Sequence, residues 1–182
     1  MGLTIICVAG MPGAGKSVFA SAAKEFSIPV ITMGDAIRME AVKRGIPQTP
    51  ETLGALMLEL RKQEGPEAVA KRCLELLPKN SKTVVIEGVR SLEELKFFKE
   101  HCEKLHLIAI HASPKTRFKR LLARGRPDDP KDWRQFEERD FRELQVGLGS
   151  VIALADIMVV NEGSITELYE TSRKILEGLI HG

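Results

Sequence analysis

Residues 10 to 17 read Gly10-Met11-Pro12-Gly13-Ala14-Gly15-Lys16-Ser17 and fit the pattern G-x-x-x-x-G-K-[ST], which narrows the possible folds more than any other stretch of the chain. Leu3-Thr4-Ile5-Ile6-Cys7-Val8-Ala9 precedes it, an apolar and partly β-branched run of the kind that forms a strand buried on both faces. Ser17 to Phe26 follows, with high helix propensity and an apolar stripe. Strand, glycine loop and helix in that order make a phosphate cradle. Gly10, Gly13 and Gly15 let the backbone approach a ligand closely. The loop N–H groups and the positive end of the helix dipole then face an anion. Lys16 reaches the terminal phosphates, the Ser17 hydroxyl is placed to ligate Mg²⁺, and Met11, Pro12, Ala14 and Val18 complete the contact surface. The expected ligands are ATP and Mg²⁺.

Size and composition bound the rest. A chain of 182 residues supports one well-buried domain with room for a small insertion. Its net charge of +2 makes no case for nucleic acid. The longest apolar run, Val151 to Val160, is broken by Asp156, so no membrane span is expected. The N-terminus enters the first strand at once, without a targeting segment, and a cytoplasmic protein is the expectation. Cys7, Cys73 and Cys102 are odd in number and unpaired in spacing, which fits reduced thiols. His101, His106 and His111 lack metal-ligand spacing.

Further along, strands are expected at Ile28–Met33, Thr83–Gly88, Leu105–Ile110 and Asp156–Val160. Between the first two of these, Gly34 and Asp35 open a helix over Ala36–Arg44, with Asp35 as its cap. Thr49 caps a second, with Pro50 in its first turn and Leu53, Leu56, Met57 and Leu60 at helical spacing. A third runs through Leu77. Three helices exceed an ordinary crossover, and residues 34–77 are expected to form a protruding helical insertion that binds an acceptor. Ser91-Leu92-Glu93-Glu94 and Ser164-Ile165-Thr166-Glu167 read as capping boxes. Ser113-Pro114 starts a basic helix through Ala123, residues 124–130 form a loop, and Lys131–Leu144 resumes a helix with Phe141, Leu144 and Leu148 as its apolar stripe. Such alternation implies one α/β domain over 1–182: a five-stranded parallel sheet between two helical layers, a P-loop NTPase architecture. Ligands of such sheets bind at the carboxyl ends of the strands.

Three other groups of residues sit where chemistry would occur. Arg38 follows the second strand and is a candidate for an acceptor's phosphate, or a solvated partner of the helix start. Glu87-Gly88-Val89-Arg90 ends the third strand. Glu87 could hold Mg²⁺ through water, orient the acceptor or act as a base toward a hydroxyl, Gly88 leaves room for a substrate, and Arg90 offers a second guanidinium fork. Alternatively, Glu87 and Arg90 pair with each other. The basic segment 115–147 reads as a lid, in which Arg124, Arg126, Arg139 and Arg142 close over the transferring phosphoryl group. Asp128 and Asp129 are candidate partners for these arginines, and Trp133 is assigned to packing.

Taken together, Gly10 to Ser17, Gly34-Asp35-x-x-Arg38, Glu87-Gly88-x-Arg90 and the arginine-rich segment resemble the ordered motifs of nucleoside monophosphate kinases. Adenylate kinase is nearest in pattern, dephospho-CoA kinase is a neighbour, and the whole chain is similar to an archaeal branch of related P-loop proteins. The resemblance implies that Asp35, Arg38, Gly88 and Arg90 bind the acceptor, and that Arg124, Arg139 and Arg142 act with Lys16 and Glu87 in transfer. It also puts a contact to the ATP base near Asn161-Glu162-Gly163. Two departures stand out. Glu replaces Asp in the third-strand motif, and Glu94 stands where the family has an adenine-reading glutamine. The implied activity is ATP-dependent phosphoryl transfer to a small phosphate-bearing acceptor, a nucleoside monophosphate in the first instance. The alternatives are a hydroxyl acceptor or a nucleotide-binding switch that phosphorylates nothing.

Overall fold

The computed structural model describes residues 2–126 and 129–181. Five strands form one all-parallel sheet in the order β2-β3-β1-β4-β5: β1 Thr4–Ala9, β2 Val30–Thr32, β3 Thr83–Glu87, β4 Lys104–His111 and β5 Ile157–Val160. The α/β architecture expected from the sequence is the one observed. Alternation along β1 feeds two cores. Ile5 and Cys7 face the layer that contains α2 (Met33–Lys43), α3 (Pro50–Glu64), α4 (Ala68–Glu75), α5 (Leu92–Glu100) and α8 (Leu148–Ala153). Ile6 and Val8 face α1 (Lys16–Glu25) and α9 (Ile165–His181). All four β1 side chains are fully buried. Each such aliphatic side chain contributes about 1.5–3 kcal/mol by leaving water, so the strand that carries the loop is the best-anchored one.

Strand order reverses at β1, which pairs with β3 on one side and β4 on the other, and this crevice is where the glycine loop sits. Helices α2–α4 do not have a separate interior. Ala36, Ile37, Leu56, Leu60 and Val69 belong to the same buried cluster as Ile5 and Ile86. The three cysteines are free, and the described residues hold no cluster of His, Cys, Asp and Glu able to bind a metal. No helix among the described residues is long and apolar enough to cross a membrane.

Local departures from expectation have plain causes. β2 runs directly into α2, so the cap is Thr32, whose Oγ1 accepts the Asp35 N–H at 3.0 Å; Asp35 lies in the first turn instead of capping it. Helix α6 (Pro114–Arg124) extends one residue past Ala123. Helix α7 (Trp133–Val146) starts after its cap Asp132, two residues later than expected from Lys131. Gly147, in the left-handed region at φ 112°, ends α7 and starts α8, so the stripe Phe141, Leu144 and Leu148 does not lie on one helix. Leu148 is buried in α8, whereas Phe141 and Leu144 are exposed. The buried contact of α7 is Phe136, packed with Trp133 against Phe118 of α6.

Candidate active site

The glycine loop is held rigid from outside. At Gly13 (φ 81°) a Cβ would come 2.9 Å from the Arg117 carbonyl, and at Gly15 (φ 111°) 2.5 Å from Asn161 Nδ2. Both positions therefore need glycine for backbone angle and for space. Asn161 Nδ2 donates to the Ala14 carbonyl at 2.7 Å, and Arg120 in turn holds the Asn161 carbonyl at 3.1 Å. Buried Arg117 donates to the Pro12 carbonyl at 3.2 Å and to both oxygens of Asp140 on α7 at 2.9 and 2.5 Å, with its guanidinium over the Phe136 ring. The loop is thus tied to β5's end and, through one arginine, to α7. Sequence reasoning missed Arg117, Arg120 and the Asn161 side chain. The basic run contained the arginines, but nothing local to it shows which of them turn inward.

Within the loop, Lys16 Nζ donates to the Gly10 carbonyl at 2.8 Å. Burial brings its ammonium down to about 8, against the opposing pull of Glu87. Among the described residues, the N–H groups of Gly13 and Gly15 have no acceptor. These donors, Lys16 and exposed Ser17 face a cleft of about 480 Å³ that Glu87, Arg120, Arg124 and Arg126 also line. Glu87 ends β3 in register with Val8 and Thr32, and burial raises its carboxyl above the usual range. It makes no ion pair with Arg90, whose Nε lies 3.4 Å from Glu143 of α7. The Ser17 hydroxyl and the Glu87 carboxylate are hard oxygen donors of the type Mg²⁺ prefers, so the residues present fit that ion.

A second cavity, about 760 Å³, opens between α3 and α7 and is lined by Arg90, Arg139, Arg142, Glu143, Met57 and Gly54 among others. Arg124 and Arg139 are held by Asp129, which is buried and accepts from Arg124 Nε at 2.9 Å and Arg139 Nη1 at 3.3 Å. Arg124 is the main cause of its carboxyl being held at about 2. Asp128 lies outside the described residues. Arg38 stands apart from these groups: it pairs with Asp35 at 2.6 Å, both side chains about half exposed, and lines neither cavity. Gly88 and Arg90 instead share a small recess with Arg61 of α3 and Glu94 of α5. Glu94 departs from its expected box: Ser91 Oγ accepts the Glu94 N–H, but the Glu94 carboxylate reaches back to the Arg90 N–H, one residue before the cap.

Comparison with known proteins agrees with this geometry. A family model described as an AAA domain matches residues 9–136. The fold is shared with a shikimate kinase from Bacteroides thetaiotaomicron (TM-score 0.62, 16% identity, all of both chains) and a gluconokinase from Sinorhizobium meliloti (TM-score 0.55, 18% identity, 97% of this chain and 93% of that one). At these identities the likeness establishes a P-loop kinase-like fold. Sequence relatives include a UPF0200 protein from Staphylothermus marinus, 48% identical over 99% of this chain and 95% of its own, and one from Thermococcus sibiricus, 48% identical over 96% and 95%. With a phosphate loop in the crevice of its sheet and relatives so similar along nearly their whole length, the chain belongs to the UPF0200 family of P-loop proteins.

Proposed function

We propose that this protein transfers the γ-phosphoryl group of ATP, with Mg²⁺, to a small phosphate-bearing acceptor seated between α3 and α7. The observation that carries the reading is a pair of cavities, one built on Lys16 and the glycine loop and the other lined by Arg90, Arg139 and Arg142, with Asp129 holding Arg124 of the first and Arg139 of the second. A switch that only binds or hydrolyses nucleotide needs no second, arginine-lined cavity. That two of the proteins sharing the fold are named as kinases of small acceptors supports the same reading.

In this reading residues Gly10 to Val18 grip the triphosphate, and Lys16 neutralises charge on its terminal groups. Ser17 would hold Mg²⁺, with Glu87 as a second oxygen donor where the acceptor needs no base, and the ion would supply charge neutralisation at the phosphate oxygens. Arg90 and Gly88 seat the acceptor, whereas Asp35 and Arg38, paired with each other outside both cavities, are given no contact with it. Arg124, Arg139 and Arg142 stabilise charge on the transferring group once Asp129 releases the two it holds.

Nucleoside monophosphates are the first acceptors to test, on the strength of the motif resemblance. Glu87 favours a second type, a phosphate ester bearing a free hydroxyl. Its carboxyl, raised by burial, suits a base: the hydroxyl oxygen bonds to Pγ, the Pγ–O bond to ADP breaks, and the proton passes to Glu87. The test is ADP release coupled to a chromogenic reaction, run with the nucleoside monophosphates and with phosphorylated hydroxy compounds such as dephospho-CoA. Stimulation by one acceptor supports the proposal; slow release indifferent to all of them supports the switch.

A further inference from the structure

The recess behind Arg90 carries a more specific message about the acceptor, one that rests on the phosphotransfer reading. Arg61 Nη2 donates to Glu94 Oε1 at 2.6 Å, with the carboxylate side chain fully buried and the arginine 16% exposed. The other Glu94 oxygen accepts the Arg90 N–H at 2.9 Å. This charged pair sits among Met33, Ile37, Met57 and Val69, an otherwise apolar wall. Stability does not explain it, because a buried ion pair is on average no better than a hydrophobic pair of the same volume. Among the described residues the Arg61 side chain makes no other hydrogen bond, so its remaining N–H groups are available to the recess.

Size limits what can enter. The recess is about 50 Å³, about a third of the roughly 150 Å³ cavity that takes a benzene ring. That admits a carboxylate or the outer oxygens of a phosphate and refuses a nucleobase. Glu94 lines the recess with both carboxylate oxygens engaged, one by Arg61 and one by the Arg90 N–H, so the Arg61 guanidinium is the charged donor left to meet an entering group. An anionic hydrogen-bond acceptor matches it. The recess and the larger cavity share Met57 and Arg90, so an acceptor can span both.

We infer that Arg61, braced by Glu94, is the specificity-determining contact for an anionic end group, phosphate or carboxylate, on the acceptor's non-reacting end. Glu94 is a positioning residue: it holds the Arg61 fork and the Arg90 backbone in one geometry. With the anion anchored there, the reacting oxygen is a hydroxyl at the other end, lying toward Arg139 and Arg142.

The experiment uses the full chain saturated with Mg²⁺ and a non-hydrolysable ATP analogue, so that the glycine loop is occupied. Inorganic phosphate, acetate and AMP are then titrated separately by calorimetry. Removing Arg61 alone would strand a buried carboxylate, so the main variant is R61M/E94M, which replaces the pair by apolar residues and is expected to melt no lower than wild type. R61K is the conservative control. Wild type is expected to bind phosphate or acetate, the stronger of the two identifying the end group. R61M/E94M should lose at least tenfold in that affinity while binding the ATP analogue as before, and R61K should recover part of it. The inference is overturned if neither anion binds, if binding survives in R61M/E94M, or if AMP binds tightly and indifferently to the double substitution. Failure of wild type to bind the ATP analogue breaks the phosphotransfer reading instead.

Discussion

The cleft over Lys16 takes its shape from backbone. Gly13 and Gly15 stand at angles and in spaces that only glycine accepts, and the N–H groups they offer are contiguous in the chain, although Arg117 and Asn161 brace them from outside. The cavity between α3 and α7 is made the other way. Its charged lining comes from the end of β3, the start of α3 and the middle of α7, brought together from positions about ninety residues apart in the chain. A phosphate cradle is a local device that any P-loop relative can share, whereas the cavity proposed for an acceptor is lined by side chains that only the finished fold assembles. This difference explains why proteins 16–18% identical to this chain keep its architecture and carry different acceptor names.

Substitutions can separate the two regions. The largest effect is expected on the loop side, where Lys16→Ala should lower turnover about a thousandfold, roughly 4 kcal/mol, and abolish Mg·ATP binding. A variant that keeps near-normal turnover would remove the loop from the chemistry. Asp140→Ala asks whether the regions are mechanically independent. It breaks the pair with buried Arg117, which also grips Pro12, and a cost of about 3 kcal/mol is expected. A thermal melt should drop by on the order of 10 °C, and the ATP affinity of the folded remainder should fall as well; a lower melting point with unchanged affinity would make the tie merely structural.

On the acceptor side, Arg139→Ala should reduce kcat about a hundredfold with little change in Mg·ATP affinity. Equal losses in both would place Arg139 in nucleotide binding. A smaller effect comes from proton linkage. Phosphate requires the charged form of Lys16, and burial sets its proton loss at about 8, below the ordinary 10.5. Below pH 8 the amine is already charged and affinity is flat. Above it, binding must take up a proton, so Mg·ATP affinity should fall by up to about tenfold per pH unit, with proton uptake measurable by calorimetry in buffers of different ionisation enthalpy. The smallest effect is expected from Arg38→Ala. A half-exposed ion pair is worth about 0–1 kcal/mol, and the acceptor KM should move by less than about threefold. A tenfold rise would return Arg38 to the acceptor site that the motif resemblance implies.

The same contrast governs what could be read in the sequence. The loop, the order of strands and helices, and the caps at Thr49 and Ser164 were legible because each depends on neighbours within a few residues. Glu94 read as half of a capping box, yet its carboxylate turned out to be committed to Arg61, 33 residues away in the chain, and to the Arg90 amide, a choice that only the tertiary fold sets. Nothing in the sequence around Arg61, in the last turn of its helix, singles it out. Arg117, among ten basic residues of one segment, became the buried one because Phe136 and the Pro12 carbonyl happen to meet there. In the same way the Phe141 stripe misled, because a single left-handed glycine redirects the chain at Gly147.

The most direct test of the whole account is a calorimetric titration of Mg·ATP into the intact protein. One site per chain, lost in Lys16→Ala and kept in R61M/E94M, is the predicted result. A flat trace for the wild-type chain, or binding that persists when Lys16 is removed, would contradict it.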